Sequence, residues 1–332
     1  MGESIVFLIK GDDIVLFSGV IDCYEKGKIN KTLEILDANK VKTVDYICLT
    51  HPDEDHCVGL DKIIKKSGSE TYLVYPNGLF NLLIEESSRK KKDVKDSRVL
   101  KSIKELSGCL AKRKDSKKKS KRIMGCSGKN EIIALNEISF KSLNTGNRYP
   151  LIINTYTPIS EIIDRYAAKH LLEKKAGKTS HNDLSIVTAI AIGDFKMLLC
   201  GDVEKDTLEL WTRQWKPDDK IFFSGVIDYL KIPHHTSMGS EDLLQSLEKV
   251  GIFSNSVTTV FRKKSLPDVE LLGRYKKKSD KVYCTGKVKQ EKVKQEKGKT
   301  KENWGIVKLT VDIFNRTMKS EVFSNACEVN NL

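Results

Sequence analysis

The densest chemistry in the chain is the run Thr50-His51-Pro52-Asp53-Glu54-Asp55-His56-Cys57-Val58-Gly59-Leu60, which follows the apolar stretch Tyr46–Leu49 and precedes a helical pattern. A strand-to-helix turn directs side chains outward, so this one presents imidazole, carboxylate, carboxylate and imidazole together. Those donors suit divalent cations. His51 with Asp53 can converge on one ion and Asp55 with His56 on a second, the spacing of a dinuclear site. Two such cations lower the pKa of a shared water toward neutrality and hold a phosphoryl oxygen between them. A solvated acidic turn explains a carboxylate cluster, but not H-x-D-x-D-H placed directly behind an apolar strand.

Other metal-ligand residue types stand in similar places. Five of the six histidines, His51, His56, His181, His234 and His235, sit at the ends of expected strands or in the loops beside them. Asp202 follows the run Met197–Cys200 and is preceded by Gly201, which permits close backbone approach. His234 and His235 close the run Leu230-Lys231-Ile232-Pro233, and one sequence does not say which imidazole binds; the other would support the ligands or touch substrate. Asp22 ends the second expected strand, in Val20-Ile21-Asp22-Cys23. No serine or cysteine stands out as a nucleophile.

The elements that must position these residues read as an alternation of strands and helices. Strands are expected at Ser4–Ile9, Asp13–Ile21, Val44–Leu49, Thr71–Tyr75, Glu131–Leu135, Leu151–Tyr156, Leu184–Ile192, Phe195–Cys200, Tyr229–Ile232, Val257–Phe261, Lys281–Cys284 and Gly305–Phe314. Helices are expected near Lys31–Ala38, Leu60–Lys66, Ser160–Lys174, Lys205–Trp215, Glu241–Val250 and Asp268–Lys277. Strands interleaved with helices in both halves point to a layered α/β fold.

The net charge of +13 is unevenly placed. Between Arg89 and Arg122 there are 16 Lys/Arg against four acids, and between Lys281 and Lys301 eight Lys against two, which leaves the rest of the chain at −5. The first segment carries a sparse helical stripe, Val94, Val99, Leu100, Ile103, Leu106 and Leu110, and reads as a basic helical hairpin or a lid. The second holds the tandem repeat Val288–Lys292 and Val293–Lys297, a solvated loop. The expected organisation is one domain over residues 1–332, with a Lys/Arg-rich insertion at 87–124 and a Lys-rich loop at 285–302. No stretch approaches the ~18 apolar residues of a membrane span, and Met1 to Lys10 lacks the flank and cleavage site of a secretory signal. Eight cysteines lie singly with no C-x-x-C pair. A cytoplasmic protein with reduced thiols is therefore expected, with no membrane partner.

The His51–His56 segment resembles the H-x-H-x-D-H signature of the metallo-β-lactamase superfamily, with aspartate in the second histidine's place. His-Pro-Asp-x-Asp-His is similar to the variant in the hydrolase domain of the bacterial DNA-uptake protein ComEC and its free-standing relatives. Asn182-Asp183-Leu184-Ser185, Leu198-Leu199-Cys200-Gly201-Asp202-Val203-Glu204 and Leu230-Lys231-Ile232-Pro233-His234-His235-Thr236-Ser237 follow in matching order. The resemblance implies a metallo-β-lactamase αββα four-layer sandwich. It implies that His51 and Asp53 bind a first metal, that Asp55 and His56 bind a second, that Asp202 bridges them, and that His234 or His235 adds a ligand. His181, Asn182, Asp183 or water would complete the first metal's set, with His181 or Asp183 favoured. Asp22 would orient ligands rather than bind.

An aspartate in place of an imidazole hardens the first site toward Mn²⁺ or Mg²⁺, with Zn²⁺ also accommodated. Two features depart from the resemblance: Thr236 stands where relatives carry glycine, and Lys264 stands about where they carry a late histidine. A lysine there can bind phosphate as a point charge but cannot ligate metal while protonated. The expected activity is metal-dependent hydrolysis, as a phosphodiesterase or nuclease using a dinuclear site and a bridging water, with Asp55, His56 and Asp202 at its centre. DNA or RNA would be gathered by Lys117, Lys118, Lys119, Lys121, Arg122 and Lys264. Two alternatives are a regulated or weakly active subunit that docks an operon-encoded partner, as in bacterial defence systems, and a small-molecule phosphoester hydrolase.

Overall fold

Two stretches rich in Val, Ile and Leu build two separate sheets, each fed by helices from its own part of the chain. The structure, a computed structural model, describes residues 2–79, 98–114, 122–142, 145–172, 181–247, 251–261, 264–288 and 305–330. It divides into a first unit, Gly2–Ile132 with Thr155–Ile186, and a second unit, Ile133–Asn154 with Val187–Leu332.

The first unit holds a five-stranded sheet whose strands β1 (Ile5–Gly11), β2 (Ile14–Ile21), β3 (Val44–Cys48), β4 (Ser67–Pro76) and β5 (Ile123–Cys126) lie in chain order. β1 and β2 form an antiparallel hairpin turned at Asp12-Asp13, both at positive φ, as a tight primed turn requires. The remaining pairs are parallel, so helical crossovers must connect them. The first crossover is α1 (Lys31–Ala38), whose cap Asn30 accepts the Leu33 amide proton on Oδ1 at 3.1 Å. The second brings α2 (Glu54–Cys57) and α3 (Leu60–Ile64), and the third brings α4 (Arg98–Lys114). α5 (Ser160–Leu172) also belongs to this unit.

α4 carries the apolar stripe of the Lys/Arg-rich insertion: Ile103, Leu106 and Leu110 are buried in one core cluster with Val20, Leu36, Leu60 and Leu73. Burying such a side chain contributes about 1.5–3 kcal/mol, so three at helical spacing outweigh the mutual repulsion of lysines on the opposite, exposed face. Residues 87–97 and 115–121, with Lys117, Lys118, Lys119 and Lys121, lie outside the described residues.

The second unit holds an eight-stranded sheet in the order β15-β12-β11-β10-β9-β8-β7-β6. β9 (Phe195–Leu199), β10 (Gly225–Lys231), β11 (Gly251–Thr258) and β12 (Ser279–Cys284) run parallel at its centre. β8 (Thr188–Ile192) pairs antiparallel with β9, and β15 (Cys327–Glu328) antiparallel with β12. β7 (Arg148–Thr155) and β6 (Asn130–Lys141) complete it. Helices α6 (Lys205–Arg213), α7 (Pro217–Phe223), α8 (Glu241–Leu247) and α9 (Val269–Lys277) alternate with the parallel strands.

Several boundaries differ from the sequence reading. The strand expected at Val257–Phe261 begins at Gly251, because it pairs in parallel with all of β10. The strand expected from Leu184 begins at Thr188, since His181–Leu184 closes a 3₁₀ turn. The pattern also missed β5, α7 and β14 (Thr317–Ser324), the last of which pairs with β13 (Gly305–Asp312) as a separate hairpin. Among the described residues, no helix is long and apolar enough to cross a membrane.

Candidate metal centre

In the first unit the metal-ligand residue types meet where β2 and β3 end. Asp22, at φ 58°, is buried beneath the His51–His56 loop. Its Oδ1 accepts the Thr50 amide proton at 2.7 Å, and its Oδ2 accepts the Thr50 hydroxyl proton at 2.6 Å. The same Oδ2 stands 2.7 Å from Nδ1 of His56. A carboxylate only accepts, so His56 carries its proton on Nδ1 and its lone pair on Nε2. His51 is oriented in the same sense: its Nδ1 lies 3.0 Å from Thr50 Oγ1, whose own proton goes to Asp22, and 3.2 Å from Ser185 Oγ. Both contacts are made by Nδ1, and Nε2 is the nitrogen turned toward Asp53. The two rings pack at 4.1 Å between centroids, tilted by 48°.

Each ligand-competent nitrogen faces a carboxylate of its own loop. His51 Nε2 lies 3.9 Å from Asp53 Oδ2, and His56 Nε2 lies 4.0 Å from Asp55 Oδ2. The other oxygen of Asp53 is gripped by His181 Nδ1 at 2.6 Å. Burial alone would raise the Asp53 pKa, but the His181 hydrogen bond and the imidazoles of His51 and His181 outweigh it and hold this carboxyl below its ordinary range. His181 opens the 3₁₀ turn that also carries buried Asn182 and half-buried Asp183. At Cys57 burial raises the thiol pKa well above its ordinary value, and Asp22, Asp53 and Asp55 push it further, a direct sign of the negative field in this loop.

The second unit gathers its residues at the ends of β9 and β10. Gly201, at φ 51°, turns the chain after β9 and accepts the His234 amide proton on its carbonyl at 3.1 Å, which ties the Asp202 turn to the His234-His235 turn. His235 is buried, with Nδ1 2.5 Å from Thr259 Oγ1 and its ring stacked on Phe261 at 5.0 Å. Its Nε2 lies 3.4 Å from Oδ2 of buried Asp202. His234 faces elsewhere: Nδ1 lies 2.8 Å from Glu204 Oε1 and 3.0 Å from Ser237 Oγ. Of the adjacent pair, His235 is the imidazole set against Asp202. His234, His235 and Thr236 all adopt positive φ, and for the β-branched Thr236 at 58° that is a strained backbone held at the site.

The donor set fits a divalent cation. Two ligands of one ion bonded at ~2.0–2.2 Å stand roughly 3–3.6 Å apart, a separation met by Asp202 and His235 at 3.4 Å, while the pairs at 3.9 and 4.0 Å stand somewhat wider and are too long for hydrogen bonds. Anchoring every such imidazole through Nδ1 is the outer-shell arrangement that orients a metal-binding histidine.

Spacing did not reveal the residues that hold the ligands: Ser185 and Thr259 anchor imidazoles, Glu204 occupies His234, and buried Glu3 donates its amide proton to the Asp55 carbonyl at 2.8 Å. All four act across long sequence separations; Ser185 and Glu204 stand within the matched segments without their partners being legible there, and Glu3 and Thr259 carry no local signature. Of the expected nucleic-acid contacts, Arg122 is engaged by the Glu70 carbonyl and carboxylate, each at 2.8 Å, and lies over the Tyr72 ring. Lys264 is exposed, with its amide bonded to the Phe261 carbonyl at 3.2 Å.

Residues 6–105 match the family model described as the metallo-beta-lactamase superfamily. None of the curated proteins matches the chain in sequence. Among solved structures, the chain is similar to zinc-bound PqqB from Methylobacterium extorquens, at 13% identity and a TM-score of 0.30, covering 68% of this chain and 58% of that one. The chain thus spans under two thirds of that structure's length. Its mixed α/β content, with one large sheet in each unit, is that of the metallo-β-lactamase fold class.

Proposed function

We propose that this chain, whose residues 6–105 match the metallo-beta-lactamase superfamily, is a metal-dependent hydrolase acting on phosphodiesters, with nucleic acid as its substrate. The observation that carries the reading is the anchoring of both rings through Nδ1: the Asp22 carboxylate holds the proton of His56 there, Thr50 and Ser185 contact Nδ1 of His51, and both Nε2 atoms are turned toward Asp55 and Asp53. His51 and Asp53 would hold one cation and Asp55 and His56 a second; in the second unit Asp202 and His235 form a further carboxylate–imidazole pair of the same donor types. Divalent cations there supply Lewis acidity and a water ionised near neutral pH. The protein's own part is to keep the donors deprotonated and aimed. Asp22 fixes the ring of His56, His181 holds one oxygen of Asp53 so that the other faces His51, and Thr259 with Phe261 immobilises His235. The carboxylates of this donor set suit Mn²⁺ and its imidazoles Zn²⁺, with Mg²⁺ accommodated.

The polynucleotide substrate is supported by charge: 16 Lys/Arg against four acids between Arg89 and Arg122, with Lys101, Lys104 and Lys112 on the exposed face of α4. The test is elemental analysis of purified protein, combined with cleavage of labelled single- and double-stranded DNA and RNA and of a chromogenic phosphodiester under Mn²⁺, Mg²⁺ and Zn²⁺. Bound metal with polynucleotide cleavage is the expected result. Bound metal with cleavage of the small ester only would replace nucleic acid by a small phosphoester. Metal without any hydrolysis would favour a partner-docking subunit.

A further inference from the structure

The stretch Gly2–Ser4, just before β1, is built into the metal loop. Glu3 donates its amide proton to the Asp55 carbonyl at 2.8 Å, and Ser4 Oγ accepts the Tyr24 amide proton at 2.8 Å. A Cβ on Gly2 would fall 2.0 Å from Tyr24 Cγ and 2.5 Å from the Asp55 carbonyl oxygen, so only glycine lets the backbone lie this close. The outcome is a glutamate only 3% exposed, with a carboxylate oxygen within 4.8 Å of an imidazole nitrogen of His56.

Three carboxylates surround that imidazole. Asp22 lies at Nδ1, 2.7 Å away, and Asp55 lies 4.0 Å from Nε2. Glu3 is the third, and neither its residue type nor the spacing of the histidine motif marks it. Carboxylates gathered around a buried imidazole are the donor types that share a divalent cation with it. We propose that Glu3 is an additional carboxylate ligand of the cation held by Asp55 and His56. This rests on the metal-centre reading above and extends it to a residue outside the motif. A further anionic oxygen hardens that site toward Mn²⁺ relative to Zn²⁺.

The test is metal binding rather than turnover. Wild type, Glu3→Gln, Glu3→Asp and Gly2→Ala, each purified through a C-terminal tag and stripped of metal, are titrated calorimetrically with Mn²⁺ and Zn²⁺. Co²⁺ is then substituted and its visible spectrum recorded. Glu3→Gln keeps the shape and removes the charge; it should weaken one of the wild-type Mn²⁺ affinities tenfold or more, weaken Zn²⁺ less, and change the Co²⁺ bands. Glu3→Asp should restore part of the affinity, and Gly2→Ala, which displaces Glu3 without altering it, should reproduce the Glu3→Gln loss. Wild-type affinities with unchanged Co²⁺ bands in Glu3→Gln would overturn the proposal and leave the metal centre standing. So would loss of far-ultraviolet circular dichroism together with metal in both Glu3→Gln and Glu3→Asp, which would make Glu3 structural. A wild type that binds no divalent ion would overturn both readings.

Discussion

Leu106 stands in the middle of the most basic part of the sequence, yet it is 2% exposed. If α4 is a core helix, truncating this side chain must cost what a core leucine costs. The transfer contribution is about 1.5–3 kcal/mol, and a cavity that its neighbours cannot fill raises a Leu→Ala loss to about 2–5 kcal/mol. With Leu60, Ile63, Ile103 and Leu110 in the same cluster, a value near 3 kcal/mol is expected. At about 2–4 °C per kcal/mol for a chain region of this size, Leu106→Ala should lower Tm by about 6–12 °C. The control is Lys104→Gln with Lys112→Gln, both exposed on the same helix, which should stay within about 0.5 kcal/mol each. Thermal melts followed by far-ultraviolet circular dichroism, with urea titrations for the free energy, decide the matter. A Leu106→Ala melt within about 2 °C of wild type, or a lysine double variant costing as much as the leucine, refutes the reasoning. The same logic means that deleting residues 89–122 removes core along with charge, so the role of the charge has to be read from Lys→Gln substitutions.

The other expectations follow from the site and from the buried thiols. His235→Ala should lose bound metal measurable by elemental analysis, whereas His234→Ala, whose ring is turned to Glu204, should retain it; equal loss in both would void the assignment of His235. Asp22→Asn keeps a residue type that tolerates φ 58° but removes the carboxylate beside His56, and should weaken metal binding about 10–100-fold in a chelator competition. Burial pushes the thiols of Cys23 and Cys284 up to about 12 from an ordinary 9.0. They stay protonated when folded while the unfolded chain ionises, so their contribution is intact below pH 9 and is lost as pH rises toward 12, by about 1.4 kcal/mol per pH unit per thiol. Urea midpoints between pH 8 and 10.5 should therefore fall more gently in Cys284→Ala than in wild type, and parallel curves would contradict this.

Much of the architecture is local and was readable. Hydrophobic runs with period two, turn residues such as Asp12-Asp13, and a strand followed at once by His51-Pro52-Asp53-Glu54-Asp55-His56 are short-range properties, so the α/β class and the motif loop follow from neighbours in the chain. The charge of the Arg89–Arg122 segment was readable too, but its meaning was not. A helix with a sparse apolar stripe is solvated or buried depending on whether another surface is there to receive it, and for α4 that surface comes from α3 and the first sheet. The same holds for the site. Which nitrogen of His56 carries the proton depends on Asp22, 34 residues away, and the His51 ring is held by Ser185, 134 residues away. Which histidine of the adjacent pair faces Asp202 depends on Thr259 and Phe261, beyond the next strand. Glu3 has no motif at all and is brought to His56 by a backbone hydrogen bond and a glycine with no room for a side chain. Donor types and spacing are written along the chain, whereas orientation and protonation depend on contacts that form only when distant segments pack.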